Sequence, residues 1–575
     1  MTRLHNDPAA FADEALAGFV AAHRRWVRPV TGGVVRATAK TPGQVAVVIG
    51  GGSGHYPAFS GLVGQGFAHG AAVGNVFASP SAQQIRGVAK AAQSGGGVLL
   101  MYGNYAGDVL HFGQAAERLN GEGIPTRTFA VTDDISSAGP EEAHKRRGIA
   151  GDLPVFKVAA AAAEQGGSLD EVARIAAHAN DRTRSFGIAF SGCTLPGADH
   201  PLFTVPEERM AVGLGIHGEP GIGEEPVPTA DEAAELLVAT LLKELPDGIQ
   251  GPRGQRAAVI LNGLGSVKYE ELFVVYRRVA QLLDDAGVTA VDPEVGELVT
   301  SFDMAGISLT LTWLDDTLEA LWTAPADTPA YRKGAVPEAA AADEESYETE
   351  EGPEAYTASE ESRQAAATAL DALRRLKDTV DTHADELGRI DAVAGDGDHG
   401  IGMQRGSTGA YEAAHRAREA GAGARSLLTA AGDAWADKAG GTSGALWGIV
   451  LRALGDALGD TERPTPASVA HGVLQASDGV RRTGGAEVGD KTMVDVLVPF
   501  AETLGQQVDA GAELAAAWDT AATAAERSAR DTAHLLPKMG RARPHAERSL
   551  GTPDAGAHSL ALIVRAVHGA LAPCK

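Results

Sequence analysis

The chain has 575 residues, with 49 Lys and Arg against 75 Asp and Glu and a formal net charge of −26. That length suits about three or four domain-sized units. The acidity excludes a general binder of nucleic acid or of anionic membranes, because both repel such a surface. Two cysteines, Cys193 and Cys574, exclude a disulfide framework and fit a reducing cytosol. The first twenty residues carry several acids and no continuous apolar run, and no stretch approaches about 18 apolar residues. Neither a signal peptide nor a membrane span is expected, and the expected location is cytoplasmic. Glycine, 72 residues, well exceeds its average usage of about 7%. Its placement therefore matters, since glycine permits positive φ and close approach of a ligand.

In chain order, residues 1–334 alternate short β-branched runs with Ala-rich helical stretches. VAVVIG ends at Gly50, GVLLMYG at Gly103, TRTFAVTDD at Asp134 and AAVILNGLG at Gly265. This is the pattern of an α/β domain, here of two lobes, with ligands expected beyond strand C-termini. Residues 335–360 are acidic and nearly free of branched apolar side chains, so they read as a linker, or alternatively as an exposed acidic helix packed on one domain. Residues 361–575 hold long helical candidates separated by glycine-rich loops, which predicts an all-α domain.

Three familiar patterns fail on context. Gly213-Leu-Gly215-Ile-His217-Gly218 fits a dinucleotide fingerprint, but the Pro- and Gly-rich residues after it cannot open a helix. GGAEVGDKT (484–492) approaches a phosphate loop, but Asp490 separates Gly489 from Lys491. Asp396-Gly-Asp398-His-Gly lacks the later ligands of a calcium loop.

Other clusters can carry chemistry. Gly50 to Gly54 follow a strand and lead to His55, Tyr56 and Pro57. Asp108 sits on a second glycine-flanked turn, where it can accept a hydroxyl proton or cap a helix. His217 stands between Gly215 and Gly218 with open access to its ring, as a nucleophile or ligand needs. Asp391, Asp396 and Asp398 repel one another unless a cation compensates, and hard carboxylate oxygens suit Mg²⁺ beside nucleotide phosphates. The loops Gly440–Gly444, Gly489–Thr492 and Gly551–Gly556 can present N–H groups and hydroxyls to phosphates.

These motifs resemble the single-chain, ATP-dependent dihydroxyacetone kinases almost end to end. GGGSGHYPAF, GNVFASPS, YGNYAGDVLHFGQAAERL, CTLPG and GLGIHGEPG are similar to the ketose-binding half. GDGDHG, GGTSGALWG, GDKTMVDVLVP and GRARPHAERSLGTPDAGAHS are similar to the nucleotide-binding half. The resemblance implies a two-lobed α/β ketose domain and an all-α antiparallel helical barrel. It implies that His217 adds to the substrate ketone as a hemiaminal, which excludes glycerol, that Asp108 is the general base and that His55 hydrogen-bonds the substrate. Gly52, Ser53, Gly54, Tyr56 and Ser79 are then expected to line the pocket. Asp391, Asp396 and Asp398 are expected to hold Mg²⁺, with ATP contacted by His399, Gly441, Thr442, Ser443, Gly489, Asp490, Arg541 and Asp554. A homodimer is implied, in which one subunit's ATP domain can serve the other's ketose domain.

The chain departs from the family pattern at Tyr56 and Phe59, at Gly402 and at Arg543-Pro544. The first lies beside the ketose pocket and slightly favours a four-carbon ketose such as erythrulose over dihydroxyacetone. Two rival functions are a lyase converting FAD to a cyclic flavin mononucleotide, which would not need His217, and a non-catalytic ketose sensor, which would not need the Asp cluster.

Overall fold

The computed structural model describes residues 4–219, 221–341, 356–393, 395, 397–539 and 548–571. Asp396 and Arg541, expected at the metal and nucleotide, lie outside these, as do Cys574, Arg543-Pro544 and most of the expected linker. The chain forms two compact units, residues 1–349 and 350–575.

After helix α1 (Phe11–Ala22), a first sheet forms from β1 (Val27–Val30), β2 (Gly33–Arg36), β3 (Ala46–Ser53), β4 (Gly70–Val76), β5 (Val98–Gly103) and β6 (Thr126–Val131). Its order is β1-β2-β4-β3-β5-β6, parallel from β4 to β6 and antiparallel at the β1–β2–β4 edge. Strands β3 and β5 are buried almost throughout, which explains their unbroken apolar runs: both faces of a parallel sheet are covered. Helix α2 (Ala82–Ala92) begins in a capping box of Ser81 and Gln84, and α3 (Ala106–Gly121) follows β5 directly.

The Ala-rich helix α4 (Asp152–Glu164) is buried from Asp152 to Ala163. It shares one hydrophobic core with Val47 and Ile49 of β3 and with Ala258 and Ile260 of a second sheet. An apolar surface all round places a helix inside, and alanine permits close approach on both sides. Helix α5 (Leu169–Asp181) leads to β7 (Thr183–Ala189), β8 (Arg209–Val212), β9 (Gly223–Pro226), α6 (Ala230–Lys243), β10 (Arg256–Gly263), α7 (Tyr269–Ala286), β11 (Thr289–Ala290), β12 (Glu294–Gly296), β13 (Gly306–Leu314) and α8 (Asp316–Trp322). Here the neighbours β10-β13-β7-β8-β9 are all antiparallel, and only the short β11 and β12 run parallel to β10. Residues 337–341, assigned to the linker by sequence, lie on this unit: Ala39 N–H donates to Ala340 O at 2.9 Å, and Gln65 Nε2 donates to Pro337 O at 3.3 Å.

The second unit contains α9 (Glu360–Asp391), α10 (His399–Glu419), α11 (Ala424–Ala439), α12 (Gly441–Leu458), α13 (Pro466–Gly484), α14 (Val494–Asp509), α15 (Leu514–Asp531) and α16 (Ala555–Leu571), with no strand among its described residues. Each helix packs on the next, and α16 packs on α9. An apolar cavity of about 460 Å³ lies among Leu373, Trp447, Leu497, Phe500, Trp518 and Ile563. Neighbours joined by short loops run antiparallel. No helix among the described residues is long and apolar enough to cross a membrane.

Candidate active site

His55 follows the C-terminus of β3, and Asp108 sits in the first turn of α3 after β5, with Tyr105 rather than Asp108 at the N-cap. His217 comes from the loop between antiparallel β8 and β9, which opens no helix. Parallel strands of one lobe and a hairpin loop of the other thus meet. The loop between β12 and β13 fastens them: His55 Nδ1–H donates to Thr300 O at 2.7 Å, Phe302 N–H to Gly54 O at 3.0 Å, and Ser301 Oγ–H to Ile216 O. Asn262 of β10 holds that loop by accepting from Leu298 N–H (2.9 Å) and Val299 N–H (3.0 Å).

His55 Nε2 lies 3.0 Å from His217 Nε2. His217 Nδ1 faces Glu219 Oε1 at 2.9 Å, and its backbone N–H donates to Glu219 Oε2 at 3.0 Å. Three rings stand edge-on to His217: His55 at 4.8 Å, Phe77 at 5.1 Å and Tyr105 at 4.7 Å between centroids. Phe77 also stacks on His55 at 5.0 Å. Burial, and then the charge of His217, push the His55 imidazole down to about 3. The glycines are steric requirements here. A Cβ on Gly52 would stand 2.7 Å from Ala78 N, and one on Gly54, at φ +104, would meet the rings of Phe302 and Phe77.

Asp108 Oδ1 is buried without a hydrogen-bond partner. Burial pushes this carboxyl up to about 7, with the Ser79 hydroxyl pulling the other way. An unpartnered acceptor near neutrality is what a hydroxyl proton needs. Tyr105, three residues before Asp108, and Phe77, two before Ser79, both wall His217. Ser53 and Tyr56 take lesser places. The Ser53 hydroxyl donates to Gly74 O at 2.7 Å, and Tyr56 is 48% exposed, with its ring turned edge-on to Phe19.

In the second unit, Asp391 ends α9 and accepts Gly397 N–H at 2.8 Å and His399 N–H at 3.4 Å. His399 Nε2 lies 3.0 Å from Ser559 Oγ, joining the starts of α10 and α16. Asp554 caps α16, accepting Ala557 N–H at 2.7 Å. Gly441, Thr442 and Ser443 form the first turn of α12, with Gly440 and Gly441 at φ +62 and +58. Helix N-termini present backbone N–H groups and the positive ends of helix dipoles, which suit an anion. Among the described residues no three His, Cys, Asp or Glu side chains close on a single ion position. The donor set nevertheless fits a hard cation. Burial, then the Asp391 charge, push Asp398 up to about 6; burial, with Asp391 and Asp495, pushes Asp554 up to about 7. Carboxylates that raise one another are the ones a divalent ion neutralises.

Two neighbouring residues of the Gly489–Thr492 loop have partners within the protein. Asp490 accepts Glu487 N–H at 2.9 Å and pairs with Lys538 at 3.1 Å, while Lys491 Nζ donates to Leu535 O and Ser549 O. Sequence reading missed Glu219, Thr300, Phe77 and Tyr105. Only Glu219 left a trace, as an acid two residues beyond a glycine-flanked histidine.

The Dak1 domain family matches residues 17–330 and the DAK2 domain family residues 393–569. The chain is 62% identical over 573 residues to an L-erythrulose kinase of Pectobacterium atrosepticum, covering 99% of this chain and 97% of that one. It is 57% identical over 575 residues to a D-erythrulose kinase of Mycolicibacterium smegmatis, covering 99% and 98%. The dihydroxyacetone kinase of C. freundii, solved in complex with AMP-PNP and Mg²⁺, aligns over 99% of both chains at 28% identity with a TM-score of 0.52. The chain, an α/β Dak1 domain followed by a helical DAK2 domain, belongs to the single-chain dihydroxyacetone and erythrulose kinases, a family of ketose-phosphorylating enzymes.

Proposed function

We propose that the chain transfers a phosphoryl group from ATP to a small ketose, preferring erythrulose to dihydroxyacetone, and holds the ketone covalently as a hemiaminal on His217. The observation that carries this is the His217 ring itself: Nδ1 faces a carboxylate, and Nε2 faces another imidazole in an aromatic-walled pocket. That nitrogen can add to a carbonyl carbon, which a polyol lacks. His55, hydrogen-bonded to Thr300, orients the captured ketose. Asp108 accepts the proton of the hydroxyl that attacks phosphorus. Identities of 57% and 62% to erythrulose kinases support the four-carbon preference.

Asp391, Asp398 and Asp554 would hold Mg²⁺ with Asp396, and the first turns of α10, α12 and α16 would hold the phosphates through His399, Thr442, Ser443 and backbone N–H groups. Bound Mg²⁺ supplies positive charge against the phosphate oxygens. The cyclic neighbour order of α9 to α16 supports an antiparallel barrel. A cytoplasmic homodimer, with ketose and nucleotide sites on separate units, completes the reading.

The test is an ADP-release assay over D- and L-erythrulose, dihydroxyacetone, glyceraldehyde and glycerol, with wild type and His217→Ala. Ketoses should be consumed and glycerol should not, and the variant should lose the ketose reaction while still binding Mg-ATP. Equal turnover of glycerol, or an undiminished His217→Ala rate, would refute covalent selection.

A further inference from the structure

We infer that Glu219 is the positioning residue that makes His217 a nucleophile, by fixing the ring proton on Nδ1. The inference rests on the covalent-capture reading of His217. One carboxylate grips the residue twice, Oε1 at the ring nitrogen and Oε2 at the backbone N–H. An ionised carboxylate only accepts, so Nδ1 must carry the hydrogen, and Nε2 keeps its lone pair. His55 is fixed likewise, because its Nδ1 faces the carbonyl of Thr300.

Two lone pairs therefore face each other across 3.0 Å. The pair on His217 is the one that can leave for a carbonyl carbon. On attack, the His217 Nε2 pair forms the C–N bond, the carbonyl π pair moves to oxygen, and that oxygen takes a proton from solvent water. The positive charge then rests on the His217 ring, whose Nδ1–H still faces Glu219.

Glu219 stands beside the Arg147 guanidinium. The space over Gly215 is filled by Glu219 Oε2 and Arg147 Nη1, so that an added Cβ would collide with both. Arg147 is anchored to Asp134 at 2.7 Å and to Gly213 O at 3.1 Å, at the start of the His217 loop. Glutamine at 219 reverses the logic. Its NH₂ can donate to Nδ1, the proton moves to Nε2, and Nε2–H then donates to His55 Nε2. The unreactive tautomer becomes the better satisfied one.

The test uses full-length enzyme labelled with nitrogen-15 at histidine and dihydroxyacetone labelled with carbon-13 at its carbonyl. Wild type should show carbon–nitrogen coupling between the ketose and one histidine, with Nδ1 protonated. Glu219→Gln should lose that coupling, show protonation at Nε2, and lose about 100- to 10,000-fold in ketose phosphorylation with Mg-ATP binding intact. Glu219→Asp, which keeps the carboxylate and stands in should the amide variant unfold, should recover part of the adduct. A purely structural role would leave the tautomer unchanged. Wild-type levels of adduct in Glu219→Gln, or no tautomer difference between the amide and aspartate variants, overturn the assignment. Absence of adduct in wild type instead overturns the capture reading, and this inference with it.

Discussion

The Nε2 atoms of His55 and His217 meet at 3.0 Å, while each Nδ1 points outward to an acceptor on a different segment, Thr300 or Glu219. Protonating the inner ring is opposed by burial first and by its partner second, which pushes His55 down to about 3. The unfolded chain takes that proton at about pH 6.5. Between pH 6.5 and 3 the folded state binds fewer protons than the unfolded one, so stability falls as pH falls through that window.

His55 should therefore contribute a loss of about 2 kcal/mol between pH 7 and pH 5. Denaturant unfolding of wild type and His55→Gln at both pH values measures it. An identical pH slope in the two proteins would show that His55 titrates normally in the fold.

Asp108 runs the other way. Its folded value, about 7 through burial, lies above that of the unfolded carboxyl. The folded state thus favours the proton, and stability is lost as pH rises from about 4 to 7. Ketose phosphorylation should rise with pH through about 7 as the base ionises, and Ser79→Ala should move that limb upward by removing a group that favours the anion. Asp108→Asn should cut the rate by about 100- to 10,000-fold yet raise the unfolding temperature at pH 8. A variant as slow as predicted but less stable at pH 8 would mean that the buried charge is better solvated than its unpartnered oxygen indicates.

Much of this site was legible in single segments. Gly50 to Gly54 after β3, Asp108 after β5 and His217 among glycines were found because each signal is local: a strand, a turn that tolerates no side chain, and a titratable group. What fixes their geometry was not local. Thr300 orients His55 from 245 residues away, and no periodicity in one sequence encodes that pairing. The second sheet was read less well, because β8 and β9 are four residues each and β9 is exposed throughout. In the helical unit, 3.6-residue periodicity carried the fold.

The carboxylates at the end of α9 and the start of α16 predict a metal effect without nucleotide. Asp398 and Asp554 are raised by burial and by Asp391, so a divalent ion relieves repulsion that the folded state carries. Millimolar Mg²⁺ alone should raise the unfolding temperature, as any ligand of the native state does. Asp398→Asn should be more stable than wild type in chelator and should gain less from Mg²⁺. Equal Mg²⁺ shifts in both proteins would remove Asp398 from the metal site.

Lys491 separates a phosphate-loop role from a structural one. It is buried at 4% exposure with φ +59, and its ammonium donates to Leu535 O at 3.2 Å, Ser549 O at 2.7 Å and Ser549 Oγ at 3.0 Å. Those three acceptors use all three ammonium protons, leaving none for a phosphate. They also tie the segment before α14 to the chain on either side of 540–547. Lys491→Met keeps the stem but strips the donors from two carbonyls, at a cost of about 2–4 kcal/mol. Unfolding of the helical unit should shift down accordingly, while Mg-ATP affinity measured well below that transition stays within about threefold, far less than the loss of a charged phosphate contact would give. A large fall in nucleotide affinity with unchanged stability would place Lys491 at the phosphate.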